Sequence, residues 1–243
     1  MYPLFFYLKE QIMKVLRLFL LLICGMIIGY VAHALCINKI YYIENKCNKS
    51  VREYLENDAI NLDSLKKLYG ENKSFISFYE KQSLIALSYY PELQTVHIEF
   101  IFADIGTTMA CRPTFKSMIY GKRHYQIFIN NNPIFEGILL EDVPFNAQIG
   151  VIGHELGHVF DYETRSRTEV LQRGINYLTR NAKRTYERSI DKLTIQKGLG
   201  WQLYDWADFS MYKSMKATDD YKKFKRNIYM SPNEIEEEIK KQK

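Results

Sequence analysis

The sequence predicts an α+β domain, mainly helical with a small sheet, that follows an N-terminal hydrophobic segment. Two short runs rich in β-branched and aromatic residues, 95–102 and 125–130, are typical of strands. Most other stretches after residue 50 mix apolar and charged positions, as amphipathic helices do. Strands and helices do not alternate regularly along the chain, which favours α+β over a parallel α/β sheet.

The composition of the 243 residues excludes several classes of protein. Hydrophobic residues make up 47% of the chain and charged residues 25%, with 12 glycines and 6 prolines, which excludes collagen and intrinsically disordered chains. The mean hydropathy of −0.28 excludes a protein with many membrane spans. The net charge of +5 is spread along the sequence rather than concentrated in one basic stripe, so we expect no nucleic-acid partner.

An apolar segment occupies residues 18–37, which contain no Asp, Glu, Lys or Arg and follow three basic residues. About 20 apolar residues are enough to cross a bilayer as a membrane anchor. A basic region, an apolar run and the small-x-small pattern at 32–34 are equally typical of a signal peptide that is cleaved. The residues leave both alternatives open.

Either alternative divides the chain in the same way. We expect residues 1–37 to be a signal peptide or a membrane anchor, and residues 38–243 to be one domain, because no Ser-, Gly- or Pro-rich linker interrupts them. The domain would lie outside the cytoplasm, secreted or periplasmic after cleavage and membrane-anchored without it. The membrane is a partner through this segment only if the segment is retained.

The remaining elements are placed by periodicity and by helix-end signals. Residues 105–124 are interpreted as a long connection between the two predicted strands. Gly70 is a plausible helix end, and Ser231 with Glu234 forms a capping box that starts a charged helix with proline at its first position. Helices are predicted for five stretches: 50–70, 74–90, 148–162, 167–180 and 184–198.

The pattern HExxH occurs at residues 154–158, inside one of the predicted helices. Residues at i and i+4 of a helix share one face, so His154 and His158 can bind the same metal ion. Zinc accepts imidazole ligands in tetrahedral sites. Glu155 lies beside the two histidines, where it can accept a proton from a zinc-bound water. The pattern therefore predicts a catalytic zinc site.

The rest of this helix supports a metal site. Its apolar residues form one stripe, and His154 and His158 fall roughly opposite it, so we expect the histidines to face a cleft. Gly153 and Gly157 each cost about 0.5–1 kcal/mol relative to alanine inside a helix, which indicates that another element packs closely there. The stripe consists of Ile149, Ile152, Leu156, Val159 and Phe160.

Two histidines need a third ligand. The elongated pattern HExxHxxGxxH is absent, because Asp161 stands at the glycine position and Thr164 at the third histidine. Glu187 and Asp191 share a face of a later predicted helix. Glu187 can complete the metal site, and Asp191 can accept the outer N–H of a ligand histidine. Three other carboxylates remain as alternatives for the third ligand: Asp161, Glu163 and Glu169.

The sequence GHELGH, followed by a helix that carries ExxxD, resembles the gluzincin clan of zinc peptidases over roughly residues 125–200. The resemblance implies a zincin-like fold with Zn²⁺ as the cofactor. It implies the following roles: zinc ligands His154, His158 and Glu187, general base Glu155, and supporting carboxylate Asp191.

Two further features follow from the resemblance and stay open. Gluzincins lay an extended substrate along an edge strand, and residues 125–130 are either that strand or an ordinary buried one. Gluzincins also use a side chain that stabilises the oxyanion, for which the candidates are His124, Tyr177 and Tyr186. The residues do not rank these three.

The resemblance implies a zinc metallopeptidase that acts on a peptide or protein substrate. We expect an endopeptidase, and the sequence leaves an exopeptidase open as the alternative. Glu155 would activate the zinc-bound water that attacks the peptide bond. An alternative is a non-catalytic zinc-binding protein or a degenerate peptidase that serves as a membrane-anchored interaction protein. Another is an unrelated interaction protein with a chance motif. The presence of Glu155 favours catalysis, because a structural metal site needs no base.

Overall fold

A computed structural model describes residues 51–242 of the chain. The α+β class is confirmed in this range, where a four-stranded sheet accompanies a larger number of helices. No helix among the described residues is long and apolar enough to cross a membrane. The hydrophobic segment at 18–37 and the boundary expected after residue 37 lie outside the described residues.

The sheet consists of β1 (Lys73–Ser74), β2 (His97–Ala103), β3 (Met109–Pro113) and β4 (His124–Asn130). Their order in the sheet is β1-β2-β4-β3. β2 is parallel to both β1 and β4, whereas β3 runs antiparallel to β4, with Cys111 opposite Ile127. β3 is therefore an edge strand next to an interior strand.

The helices form the larger part of the described chain. They are α1 (Leu62–Tyr69), α2 (Glu80–Leu87), α3 (Phe115–Ile119), α4 (Phe145–Glu163), α5 (Arg167–Asn176), α6 (Arg180–Thr194), α7 (Gly200–Asp208), α8 (Asp219–Ile228) and α9 (Pro232–Lys240). A π-helical turn at Ile195–Leu199 joins α6 to α7, and a second one at Phe209–Lys213 follows α7.

Most of the predicted elements are confirmed, with shifted ends. The predicted helices at 148–162, 167–180 and 184–198 correspond to α4, α5 and α6. Both halves of the capping box at the start of α9 are formed. The helix expected at 50–70 is wrong in its first half, because helix α1 begins only after Asn61, whose side chain accepts a hydrogen bond from the backbone of Ser64.

The interpretation of residues 105–124 as a connection is wrong, because they contain β3 and α3. The alternative that placed 125–130 at the sheet edge is also wrong, since β4 pairs on both sides. The edge strand carries the exposed Arg112 and ends at Pro113. Proline has no backbone N–H to donate, so within sheets it occurs at edge strands. Its presence also makes a strand harder to predict from the sequence.

Helix α4 lies at the centre of the described fold, and nearly all of its residues are buried. Glycines on this helix let neighbouring elements pack closely against it. A Cβ atom at Gly150 would overlap the backbone carbonyl of Gln202 in α7, and one at Gly153 would lie 2.5 Å from Leu199. A Cβ at Gly157 would lie 3.0 Å from Ile190 of α6. The close packing predicted from Gly153 and Gly157 is thus confirmed.

Candidate metal centre

His154 and His158 on α4 and Glu187 on α6 meet in the interior of the protein. The Oε2 atom of Glu187 lies 3.1 Å from Nε2 of His154 and 3.4 Å from Nε2 of His158. One potential ligand atom from each side chain lies within 4.8 Å of the others. All three residues are buried, with 3–4% of their surface exposed. This buried His-His-Glu group could hold a metal ion.

The spacing of the donor atoms fits a small tetrahedral ion. Ligands at about 2.0–2.1 Å from a tetrahedral zinc ion stand roughly 3.3 Å apart. The two measured nitrogen–oxygen separations, 3.1 and 3.4 Å, bracket that value. Two imidazole nitrogens and one carboxylate oxygen are also a donor set that catalytic zinc sites use, with a fourth position left for water or substrate. The residues present therefore fit zinc.

The outer atoms of all three side chains are already occupied. Asp191 Oδ1 lies 3.0 Å from Nδ1 of His154. The Tyr186 hydroxyl lies 3.2 Å from Nδ1 of His158 and donates its own proton to Asp161. The hydroxyl of Tyr177 donates to Oε1 of Glu187 over 2.6 Å. Because these partners fix the outer atoms, the two Nε2 atoms and Oε2 of Glu187 are oriented toward a common point.

The other carboxylates considered as a third ligand have different partners. Asp161 accepts hydrogen bonds from Tyr186 and from Nε of Arg165, so it contacts the site only through the tyrosine. Glu163 accepts a hydrogen bond from the Tyr125 hydroxyl. Glu169 closes the capping box at the start of α5. Among the carboxylates weighed from the sequence, Glu187 is the one that the structure brings to both histidines.

The charges around the centre favour a cation there. Burial alone would lower the pKa of His154, but hydrogen bonds with the carboxylates of Asp191 and Glu187 outweigh it and raise the pKa to about 10. Burial alone would raise the pKa of Glu187, but the neighbouring His158 and His154 hold it well below its ordinary value. Buried carboxylates need compensating positive charge, which a proton on Nε2 or a metal ion supplies.

A cleft of about 640 Å³ opens beside the centre. Glu155, His158 and Glu187 line it, with β3 along one side and α5 along another. The carboxylate of Glu155 makes no hydrogen bond with the described residues, and burial raises its pKa, although both motif histidines oppose this rise. The expectation that the motif histidines face a cleft is correct for His158, and Glu155 lines the same cleft. The face of His154 instead packs against α6.

Comparison with protein-family models, curated proteins and solved structures found no match. The arrangement of the site therefore has to be interpreted from its own geometry. What that geometry supports directly is a buried group of two histidines and one glutamate that could hold a metal ion.

The structure also brings tyrosines to the site that the sequence did not rank or identify. Tyr177 contacts Glu187, and Tyr186 contacts His158. His124 lies on the sheet instead, where its Nε2 atom is 3.4 Å from Oε1 of Glu99. Tyr229 was missed. Its ring stacks edge-on against His154 with 5.6 Å between centroids, and it lines the cleft. No sequence pattern marks Tyr229, because its position depends on the packing of α8 against α6.

Proposed function

We propose that the chain is a zinc metallopeptidase of the gluzincin type that hydrolyses peptide bonds in an extended polypeptide. The observation that carries this proposal is the placement of Glu155. Its carboxylate lies in the same cleft as His158 and Glu187, and no described residue donates a hydrogen bond to it. A buried acid next to a metal-binding group has no structural purpose, and its desolvation costs stability. A general base explains its presence.

His154, His158 and Glu187 would hold the zinc ion. Zinc in such a site lowers the pKa of a water ligand toward neutrality and polarises a carbonyl oxygen. Glu155 accepts a proton from water in the cleft and later returns it to the leaving amine. The raised pKa of Glu155 suits this exchange, because a base works best when its pKa approaches the working pH. Asp191 and Tyr186 keep the two imidazole rings in position.

The substrate would be held by β3. This strand pairs with β4 on one side, and no other described strand pairs with its outer edge, which borders the cleft. An extended peptide can add to such an edge through main-chain hydrogen bonds. A peptide that pairs with all of Met109–Pro113 would place its middle residues at the metal centre and would extend beyond it on both sides. An endopeptidase binds its substrate in this way.

Tyr229 is our candidate for the group that stabilises the oxyanion. The hydroxyls of Tyr177 and Tyr186 already bind Glu187 and Asp161, whereas the Tyr229 hydroxyl makes no hydrogen bond with a described residue and its ring lines the cleft. Burial, followed by the nearby carboxylates, raises its pKa well above the ordinary value, so it stays a proton donor. Tyr229→Phe should keep its metal and lose about 10²-fold in kcat; unchanged kcat would exclude the role.

The variant Glu155→Gln tests the function. The full chain should bind one zinc ion as the wild type does, and should lose at least about 10²-fold of its hydrolysis of a quenched fluorogenic peptide library, because a general base contributes about 10²–10⁴-fold. Glu163→Gln, on the same helix but away from the cleft, should remain active. Equal activity of Glu155→Gln and wild type would contradict the mechanism. Zinc binding without any hydrolysis by the wild type would favour the non-catalytic alternative.

A further inference from the structure

Exposed apolar side chains concentrate on two short helices beside the cleft. Phe115 and Ile119 lie one turn apart on α3, Leu171 and Ile175 lie one turn apart on α5, and Leu178 follows the end of α5. We call these five residues the apolar rim. Phe115 is 83% exposed and Leu178 is 80% exposed. Apolar side chains grouped in this way usually mark an interaction surface.

A hydrogen bond joins the two segments that carry the apolar rim. Nη2 of Arg167, the first residue of α5, donates to the carbonyl of Gly121 just after α3, over 2.7 Å. Met118 of α3 and Leu171 of α5 line the same cleft. Both helices that carry the apolar rim therefore border this cleft, and Leu171 belongs to both the rim and the cleft lining.

The two segments that carry the apolar rim are rich in basic residues, two of which, Arg165 and Arg173, pair with Asp161. Residues 112–123 contain four basic side chains and no acidic one, and residues 165–184 contain six basic side chains and one acidic one. Across 51–242 basic and acidic residues are equal in number, so the rest of the described chain carries the opposite excess. Exposed members of the basic set include Lys116 and Arg180. The charge of this face complements an anionic partner.

We propose that the apolar rim docks on the surface of a membrane that contains anionic lipid. Phe115 and Leu178 are almost fully open to solvent, as insertion among lipid headgroups requires, whereas a groove for a peptide would partly enclose the side chains that line it. Basic residues near an anionic membrane surface strengthen attachment to it. Stable attachment needs two signals, and here apolar and basic residues combine. The inference does not depend on the proposed peptidase activity.

Hydroxyl-radical footprinting of the full chain tests this inference. We expect vesicles of phosphatidylcholine and phosphatidylglycerol in a 7:3 ratio to slow oxidation of Phe115 and Leu178 by about threefold or more, because buried side chains escape the radical. Phe78 and Met215, which are equally exposed but lie outside the apolar rim, should react at the same rate with and without vesicles. Pure phosphatidylcholine should protect the apolar rim much less.

A charge-reversal pair and its control make the test specific. Lys116→Glu with Arg180→Glu should abolish the protection, and Lys67→Glu with Lys223→Glu, the same change of charge on exposed residues elsewhere, should preserve it. Absent protection, or equal protection by neutral vesicles, would overturn the proposal. If Phe115 and Leu178 became protected without vesicles as the protein concentration rises, the apolar rim would instead be a contact between two copies of the chain, which would overturn the proposal. None of these readings measures hydrolysis, so they stand apart from the test of Glu155.

Discussion

The carboxylate of Asp191 joins the imidazole of His154 to the backbone of Met230. One oxygen lies 3.0 Å from Nδ1 of His154, and the other accepts a hydrogen bond from the Met230 amide over 2.9 Å. Met230 follows Tyr229, whose ring packs on His154. One buried carboxylate thus fixes the ring of a candidate metal ligand and the segment that brings Tyr229 to the cleft.

Replacing this carboxylate should weaken metal binding. Asp191→Asn keeps the shape of the side chain but removes its charge, and we expect the zinc affinity to fall by about 10–100-fold, as is usual for partners of ligand histidines. Competition with a chromophoric chelator measures the affinity. Asp208→Asn, which removes a surface partner of Lys213, should leave it unchanged. An Asp191→Asn variant that binds zinc as tightly as wild type would show that the hydrogen bond to His154 does not matter.

A methyl group at Gly150 should destabilise the fold. The Cβ of Gly150→Ala would overlap backbone of α7 rather than the end of a flexible side chain, so the free energy of unfolding should fall by about 1–3 kcal/mol or more. Gly174→Ala in α5 is the matched control, because nothing lies within 4 Å of the added atom and alanine favours the helix by about 0.5–1 kcal/mol. Urea denaturation measures both. A Gly150→Ala protein as stable as wild type would contradict the contact between α4 and α7.

The ion pair between Arg188 and Glu234 should make stability depend on pH. Burial would raise the pKa of Glu234, but hydrogen bonds from Arg188 and Ser231 outweigh it and lower the pKa from 4.5 to about 2. A lowered acid pKa stabilises the fold above pH 4.5, and this stability is lost as the pH falls toward 2. Because 42% of the Glu234 side chain is exposed, we expect the ion pair to contribute only about 1 kcal/mol to the free energy of unfolding.

Glu234→Gln separates this ion pair from the rest of the titration. Glutamine can still complete the capping box, so the variant loses the charge but keeps the helix start. Urea denaturation at several pH values between 6 and 2 measures the free energy of unfolding. The difference in this free energy between wild type and Glu234→Gln should shrink as the pH falls. Glu237 is exposed on the same helix, and the stability of Glu237→Gln should change with pH as that of the wild type does. A difference that stays constant with pH would exclude a lowered Glu234 pKa.

Local patterns in the sequence predicted the elements of the site well. The shared face of the i,i+4 histidines follows from helix geometry, as do the shared faces of Gly153 with Gly157 and of Glu187 with Asp191. All of these depend on spacings within one helix. The meeting of α4 with α6 was inferred only from the need for a third ligand, and the structure brings Glu187 to both histidines.

Features that depend on long-range packing could not be predicted in this way. The edge strand β3 is five residues long and ends at Pro113, so its identity comes from pairing with β4 rather than from its own pattern. Tyr229 reaches His154 through the packing of α8 and the carboxylate of Asp191. The stretch before Leu62 has a helix-like composition but makes its contacts with distant residues, such as Arg52 with Asp205.

Zinc binding by the full chain and by a Glu187→Ala variant is the most direct measurement of the metal centre. The account predicts one zinc ion per wild-type chain and at least a tenfold loss of affinity in Glu187→Ala, because one of three protein ligands is removed. Glu169→Ala, which removes a carboxylate from the start of α5, should retain the wild-type affinity. A wild-type chain that binds no zinc, or a Glu187→Ala variant that binds it as tightly as wild type, would contradict the account.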